Sequence, residues 1–225
     1  QYERKLSELL TTQREIVAEI VGKLQLKLSG ESEQKLAKKY TDNNEAYQLY
    51  LQGRYHWNKR QIPEFEKAVV FFKQAIEKDP NYALAYSGLA DTYGLFPRYG
   101  DFRPKEYMPQ AKAAALKALE LDPNLAEAHT SLAQIELFYE YDFTGAEKSF
   151  KRAIELDPNY ATARQWYGLL LMYIGKNDES VREAKKAFEL DPFSLRINSD
   201  LFSSLANANR FDEALLQNKK LNELF

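Results

Sequence analysis

Four times in this chain a helix-forming run stops at an Asp-Pro step: Asp79-Pro80-Asn81-Tyr82, Asp122-Pro123-Asn124-Leu125, Asp157-Pro158-Asn159-Tyr160 and Asp191-Pro192-Phe193-Ser194. The prolines are 43, 35 and 34 residues apart. The runs before them also correspond, with Lys73 to Lys78, Lys117 to Leu121, Lys151 to Leu156 and Lys186 to Leu190 each placing alanine and a large apolar residue in the same order. A proline ring disfavours helical geometry in the residue before it, so each aspartate is expected to close a helix. Asn81, Asn124, Asn159 or Ser194 is then expected to cap the next one. A unit of some 34 residues holds two helices and a turn, and two helices alone cannot cover their apolar faces. Only a stack of such pairs makes a continuous core.

Small residues mark where the helices must touch. On the second helix of each pair they are Ala68 and Ala75, Ala111 and Ala118, Ala146 and Ala153, then Ala187 and Ala214. On the first helix they are Gly53, Ala90, Ala133 and Gly168, with Phe72, Leu116 and Phe150 expected to fill the gaps between them. The period, the small-large-small spacing and the terminal proline resemble the tetratricopeptide repeat. The unit from Ala161 to Ser194 carries the pattern most fully, with Tyr167-Gly168, Gly175, Ala184, Ala187 and Pro192 in place and Ser180 where the family prefers alanine.

The resemblance implies an all-α fold, a right-handed superhelical solenoid of antiparallel helix pairs. Residues 45–225 then divide into about five units: Glu45–Tyr82, Ala83–Leu125, Ala126–Tyr160, Ala161–Ser194 and Leu195–Phe225. The first unit is expected to have a long turn, Asn58 to Glu64. The second carries about nine extra residues near Leu95 to Pro104 relative to the usual period.

Residues 1–44 form a helical extension of a different kind. Leu6, Leu9, Leu10, Ile16, Val17, Ile20, Val21, Leu24 and Leu28 recur at helical spacing, and Ser29-Gly30 is a stop signal. The stripe through Leu9, Ile16, Ile20 and Leu24 requires cover, by the first repeats or by another copy. Gln1-Tyr2-Glu3-Arg4-Lys5-Leu6 through Gln13-Arg14-Glu15-Ile16 resembles the tail of a TolB-like domain, a kind that precedes repeat arrays in bacterial winged-helix regulators, serine/threonine kinases and nucleotide cyclases. The chain opens at Gln1 and stops inside a helical pattern at Leu224-Phe225, which reads as a fragment of a larger bacterial signalling or regulatory protein.

The chemistry that the sequence lacks narrows the function. There is no cysteine, so thiol catalysis and thiolate metal sites are excluded. The two histidines, His56 and His129, lie in different units with no second histidine at i+3 or i+4, and a metal site needs several converging ligands. No glycine-rich phosphate loop or nucleophile elbow is present, and the carboxylate pairs belong to helix ends. We therefore expect no catalytic residue, no cofactor and no metal. A formal net charge of -2 is not the basic surface of a nucleic-acid binder. No run of about 18 apolar residues suggests a membrane span. The compartment is left open, with the cytoplasm favoured over the periplasm.

What remains is binding. In the resembled family the first helices line a concave groove. The positions facing it correspond here to Tyr47, Tyr50, Arg54, Trp57, Ser87, Asp91, Thr130, Gln134, Leu137 and Phe138, then to Gln165, Leu169, Met172, Tyr173, Arg196, Ser199 and Ser203. The lysine/asparagine clamp that some members use for a peptide carboxylate is missing, since Ser87 and Asp91, Thr130 and Gln134, Gln165 and Leu169 stand at its sites. The expected partner-binding set is Gln134, Phe138, Gln165, Leu169, Met172 and Tyr173, apolar anchors with amides that suit a peptide or protein segment. Such a mostly neutral lining predicts weak salt dependence. The alternative is a structural spacer or self-association module, a homo-oligomer included. The aromatics of the second unit, Tyr93, Phe96, Tyr99, Phe102 and Tyr107, are expected to pack between neighbouring turns.

Overall fold

A computed structural model describes residues 40–224, with side chains described to Lys219. The amino-terminal extension, its apolar stripe and its TolB-like segment lie outside the described residues. The described part is all α: ten helices, paired in sequence. They are α1 (Asn44–Asn58), α2 (Ile62–Lys78), α3 (Ala83–Tyr99), α4 (Pro104–Leu121), α5 (Ala126–Ile135), α6 (Phe143–Leu156), α7 (Ala161–Tyr173), α8 (Asn177–Leu190), α9 (Leu195–Asn207) and α10 (Phe211–Leu224). Each helix packs on the next. The first helices α1, α3, α5, α7 and α9 also stand side by side and share one face.

The Asp-Pro junctions work as helix ends, but their asparagines do not cap. Asp79, Asp122, Asp157 and Asp191 each occupy the C-cap of an even-numbered helix. The carboxylate then turns forward: Asp79 Oδ1 accepts from the Asn81 backbone N–H at 3.0 Å, Asp122 Oδ1 from Asn124 and Asp157 Oδ1 from Asn159, both at 3.1 Å. That aspartate-centred turn fixes the link between units, and the N-cap of the next helix falls one residue later, at Tyr82, Leu125 or Tyr160, with no side-chain cap. Of the four expected caps only Ser194 acts as one, accepting from the Ile197 N–H.

The expected small sites are buried contacts: Ala68, Ala75, Ala111, Ala118, Ala146, Ala153 and Ala187 have no exposed surface. Phe72 is fully buried between the first and second units. A Cβ added to Gly53 would stand 2.6 Å from its ring, and one added to Gly88 2.5 Å, so both first helices leave that volume to the phenyl group. Phe150 does the same work in the third unit, but Leu116 does not in the second, where it is 49% exposed. Its position is five residues after Ala111, off the inner stripe. The residue at the matching offset of four is Ala115, fully buried, and the space is filled instead by Met108 and the aromatic cluster of the same unit. In that cluster Phe96 lies 4.8 Å from Tyr107 and 5.1 Å from Phe102, and Phe65 lies 5.3 Å from Tyr99, centroid to centroid.

Length differences are absorbed inside helices. The second unit's extra residues extend α3 through Pro97 to Tyr99, leaving only 100–103 as a connection. The first unit's turn is three residues, 59–61, shorter than expected. Pro63 lies in the first turn of α2, where its missing N–H costs nothing, and Arg60 takes the left-handed conformation at φ 55°. The third unit, 35 residues from proline to proline, is accommodated by a single π turn, Glu136–Glu140, continuing α5, and Tyr141 follows at φ 58°.

Candidate functional site

The π turn carries Phe138 onto the shared face of the first helices, and an aromatic group assembles around it. Its ring meets Trp166 edge-on at 5.7 Å and Tyr173 at 6.0 Å. From the extended end of α3, the Arg98 guanidinium lies 3.9 Å above Phe138 and 5.0 Å from the Trp166 ring. Such cation–π contacts hold a charge in place without neutralising it.

One turn before Phe138, Gln134 is 7% exposed and its Nε2 is buried with no hydrogen-bond partner. It lines a cavity of about 10 Å³ together with Asp91, Gly94, Ser131 and Phe138. That volume suits one small polar group, such as a water or a carbonyl oxygen. Gly94 borders the notch, and a Cβ there would meet nothing within 4 Å.

The six expected partner-binding residues separate by depth. Tyr173 is 55% exposed, Phe138 and Met172 are half-buried against the core, and Gln134 sits at the notch. Leu169 is 4% exposed and belongs to the core beneath. Gln165 is also buried, and its Nε2 donates to Asp200 Oδ2 at 2.6 Å. Gln165 and Leu169 therefore support the face from below, while Phe138, Met172 and Tyr173 form its surface.

A second group lies on α1 and α3. Trp57 is buried with Arg60 on its ring at 3.5 Å and Arg54 at 4.1 Å. Arg54 also pairs with Asp91 Oδ2 at 3.3 Å, and Asp91 Oδ1 accepts from Ser131, whose hydroxyl is 3.2 Å from that of Ser87. Burial pushes the Asp91 carboxyl up, against the pull of Arg54 and the Ser131 hydrogen bond. Burial likewise pushes the Arg60 guanidinium down to about 10, with Arg54 and Arg196 acting in the same direction and Tyr99 and Asp91 opposing. Arg98 is lowered for the same first reason, with Arg196 adding to it.

The neutral lining expected from sequence is thus incomplete. Arg54 and Arg196 stood among the groove positions, but Arg60, Arg98, Trp166 and Asp200 did not. Arg60 sits on a turn, and Arg98 on a helix extension beyond the usual repeat, so repeat spacing could not assign either. The two histidines are structural: His56 stacks on Phe71 and bonds Glu64, and His129 Nε2 is 3.0 Å from the Pro123 carbonyl oxygen. Among the described residues no group of three or more His, Asp or Glu could hold a metal ion.

Ten sequentially paired helices, alanine-lined pair contacts and Asp-Pro junctions give the described residues the fold of a tetratricopeptide-repeat array. Among solved structures it superposes on TTC0263, a thermophilic tetratricopeptide-repeat protein of Thermus thermophilus, with a TM-score of 0.64 at 20% identity over 80% of this chain and 91% of that one. MamA gives 0.50 at 23% identity, covering 72% and 89%. In sequence it is 28% identical over 144 residues to the transcriptional regulator HilA of Salmonella typhimurium, covering 64% of this chain and 26% of HilA. It is 29% identical over 147 residues to the protein O-mannosyl-transferase TMTC3 of Mus musculus, covering 63% of this chain and 16% of TMTC3. The chain thus spans about a quarter or less of these curated relatives. No family model matches.

Proposed function

We propose that this array is a protein-interaction module without catalytic activity, and that it holds a peptide or protein segment on the face of its first helices within a larger bacterial signalling or regulatory protein. The observation that carries the reading is the Gln134 amide nitrogen, buried and unpartnered beside an open notch and an exposed aromatic. A buried donor without an acceptor is costly, and a passing backbone carbonyl would satisfy it. Phe138, Met172 and Tyr173 then supply the apolar anchors, and Gln165 and Leu169 hold them in place. The likeness to part of the regulator HilA supports a regulatory setting.

The test is selection of peptides from a displayed random library on the intact chain, followed by affinity and melting measurements on Tyr173→Ala. Truncating an interface aromatic should cost about 2 kcal/mol of binding. The melting midpoint should barely move, because the ring is 55% exposed. Selected peptides that bind the variant unchanged would place the site elsewhere.

The second reading is a spacer or self-association module. It draws on Phe211, Leu215 and Leu216, which are 59%, 66% and 55% exposed on the last helix. Sedimentation decides it: a concentration-dependent dimer lost in Leu215→Lys favours that reading.

A further inference from the structure

The arginines of the shared face fall into two kinds. Arg54 is paired with Asp91, and Arg196 with Asp200 through Nη2 and Oδ1 at 3.1 Å. Arg60 and Arg98 have no carboxylate within ion-pair distance among the described residues. Each is half-buried, and each has a tryptophan ring as neighbour, Trp57 for Arg60 and Trp166 for Arg98. Stacking immobilises a guanidinium and removes part of its hydration while leaving its hydrogen-bonding edge unused. The two come from different units, one on a turn and one on a helix end, yet contacts join them: Arg60 shares the Trp57 ring with Arg54, Arg54 pairs with Asp91, Asp91 lines the notch with Gln134 and Phe138, and Arg98 covers Phe138. They therefore stand over one common space, with Gln134, Phe138 and Tyr173 on its floor and rim.

Two pre-positioned cations with no ion-paired carboxylate among the described residues define the complement they lack. We propose, building on the interaction-module reading, that the segment held on this face is acidic, its carboxylates meeting Arg60 and Arg98 while its backbone runs past Gln134. A carboxylate accepts two parallel hydrogen bonds from a guanidinium, which specifies a side chain as well as a charge. A single-stranded nucleic acid would also use stacked arginines and aromatics, but the same face carries Asp91 and Asp200, and the whole chain is acidic at a net charge of -2. A continuous polyphosphate would run over those carboxylates, whereas a peptide can place acids only where the arginines are.

The experiment uses the full chain and three fluorescein-labelled peptide pools of equal length, identical except for glutamate, glutamine or lysine at fixed alternate positions, with labelled oligo(dT) as a fourth probe. Fluorescence polarisation should show the glutamate pool binding about tenfold more tightly than the glutamine pool, as expected of a charge-assisted hydrogen bond. That margin should shrink with added salt. Arg60→Asn keeps a residue tolerant of the left-handed turn and should erase most of the margin, leaving glutamine-pool binding unchanged. Arg98→Gln should do the same, with circular dichroism confirming that the array remains folded, and Arg98→Lys should retain part of it. Equal binding of the glutamate and glutamine pools, both lost in Tyr173→Ala, would overturn the acidic preference and leave the interaction module standing. Tightest binding of the lysine pool or of oligo(dT) would overturn it as well. Failure of every probe to bind would overturn both readings.

Discussion

The joint between the first two units and the joint between the last two follow one backbone plan with different contents. At the first, Phe72 fills the volume over Gly53 and Gly88, and the core there runs continuously from Trp57 to Leu171. At the second, polar groups meet: Ser180 donates to Ser204 at 3.0 Å and Gln165 to Asp200 at 2.6 Å, while inside the last unit Gln217 donates to Asn198 at 2.7 Å. The apolar contacts of α8–α10 form a separate small cluster around Val181, Leu201 and Leu205. Burying a phenyl ring removes a large apolar surface from water, while a buried hydrogen bond replaces one made with solvent and contributes on the order of 1 kcal/mol net. The same repeat can therefore be joined strongly or weakly, and the last pair should open first.

The largest effect should come from Phe72→Ala, which leaves a cavity flanked by two glycines that cannot fill it. The expected cost is about 3–5 kcal/mol, read as a urea midpoint shift. An effect no larger than that of Ser204→Ala would erase the difference between the joints. Ala153→Leu should come next at about 1–3 kcal/mol through overpacking, because Ala153 has no exposed surface, with Lys148→Ala within about 0.5 kcal/mol as control. Equal shifts for that pair would overturn the helix register. Ser204→Ala should cost on the order of 1 kcal/mol and leave Ser180 unpaired. Hydrogen exchange should then quicken in α9 and α10 while α1 to α6 stay protected. Uniform quickening would mean that the array unfolds as one body.

Acid should act on the first unit and on the last joint with opposite sign, and this is the smallest expected effect. The hydrogen bonds of Lys59, Lys67 and His56 hold the Glu64 carboxyl below its ordinary 4.5, at about 2. Its stabilisation is full above pH 4.5 and is lost as pH falls towards 2. Burial raises Asp200, against the pull of Arg196 and Gln165, so acid relieves the cost of keeping that charge inside. Single-tryptophan variants that keep Trp57 or Trp166 report the two ends separately. Their urea midpoints should converge on acidification, and Glu64→Gln should flatten the acid response of the Trp57 reporter.

The repeat class was legible because it rests on spacing: small residues where helices touch and proline where they end. Leu116 was misread because the second unit fills its gap with aromatics from an extended helix, so a rule of one large residue per gap fails there. The caps were misread because the aspartate side chain organises the turn that asparagine was expected to organise. At the site, residues at repeat offsets were within reach of sequence reasoning. Arg60 and Arg98 lie where the period lapses: Arg60 reaches Trp57 only because the turn takes the left-handed conformation, and the approach of Arg98 to Phe138 and Trp166 of later units is a long-range property that no local pattern encodes.

The π turn of the third unit bears on how such a chain can change without falling apart. A residue inserted into a regular helix would rotate everything after it by about 100° and turn the apolar stripe away from its neighbours. Here the added residue is swallowed within five positions, Glu136–Glu140, and Ala146 and Ala153 beyond it remain fully buried. Insertions become a local currency: one unit can gain a residue, acquire a differently aimed Phe138, and present a new surface, while the units on either side keep their alignment. Variation in length, ordinarily a hazard to a periodic structure, is thereby confined to the face where binding can be selected.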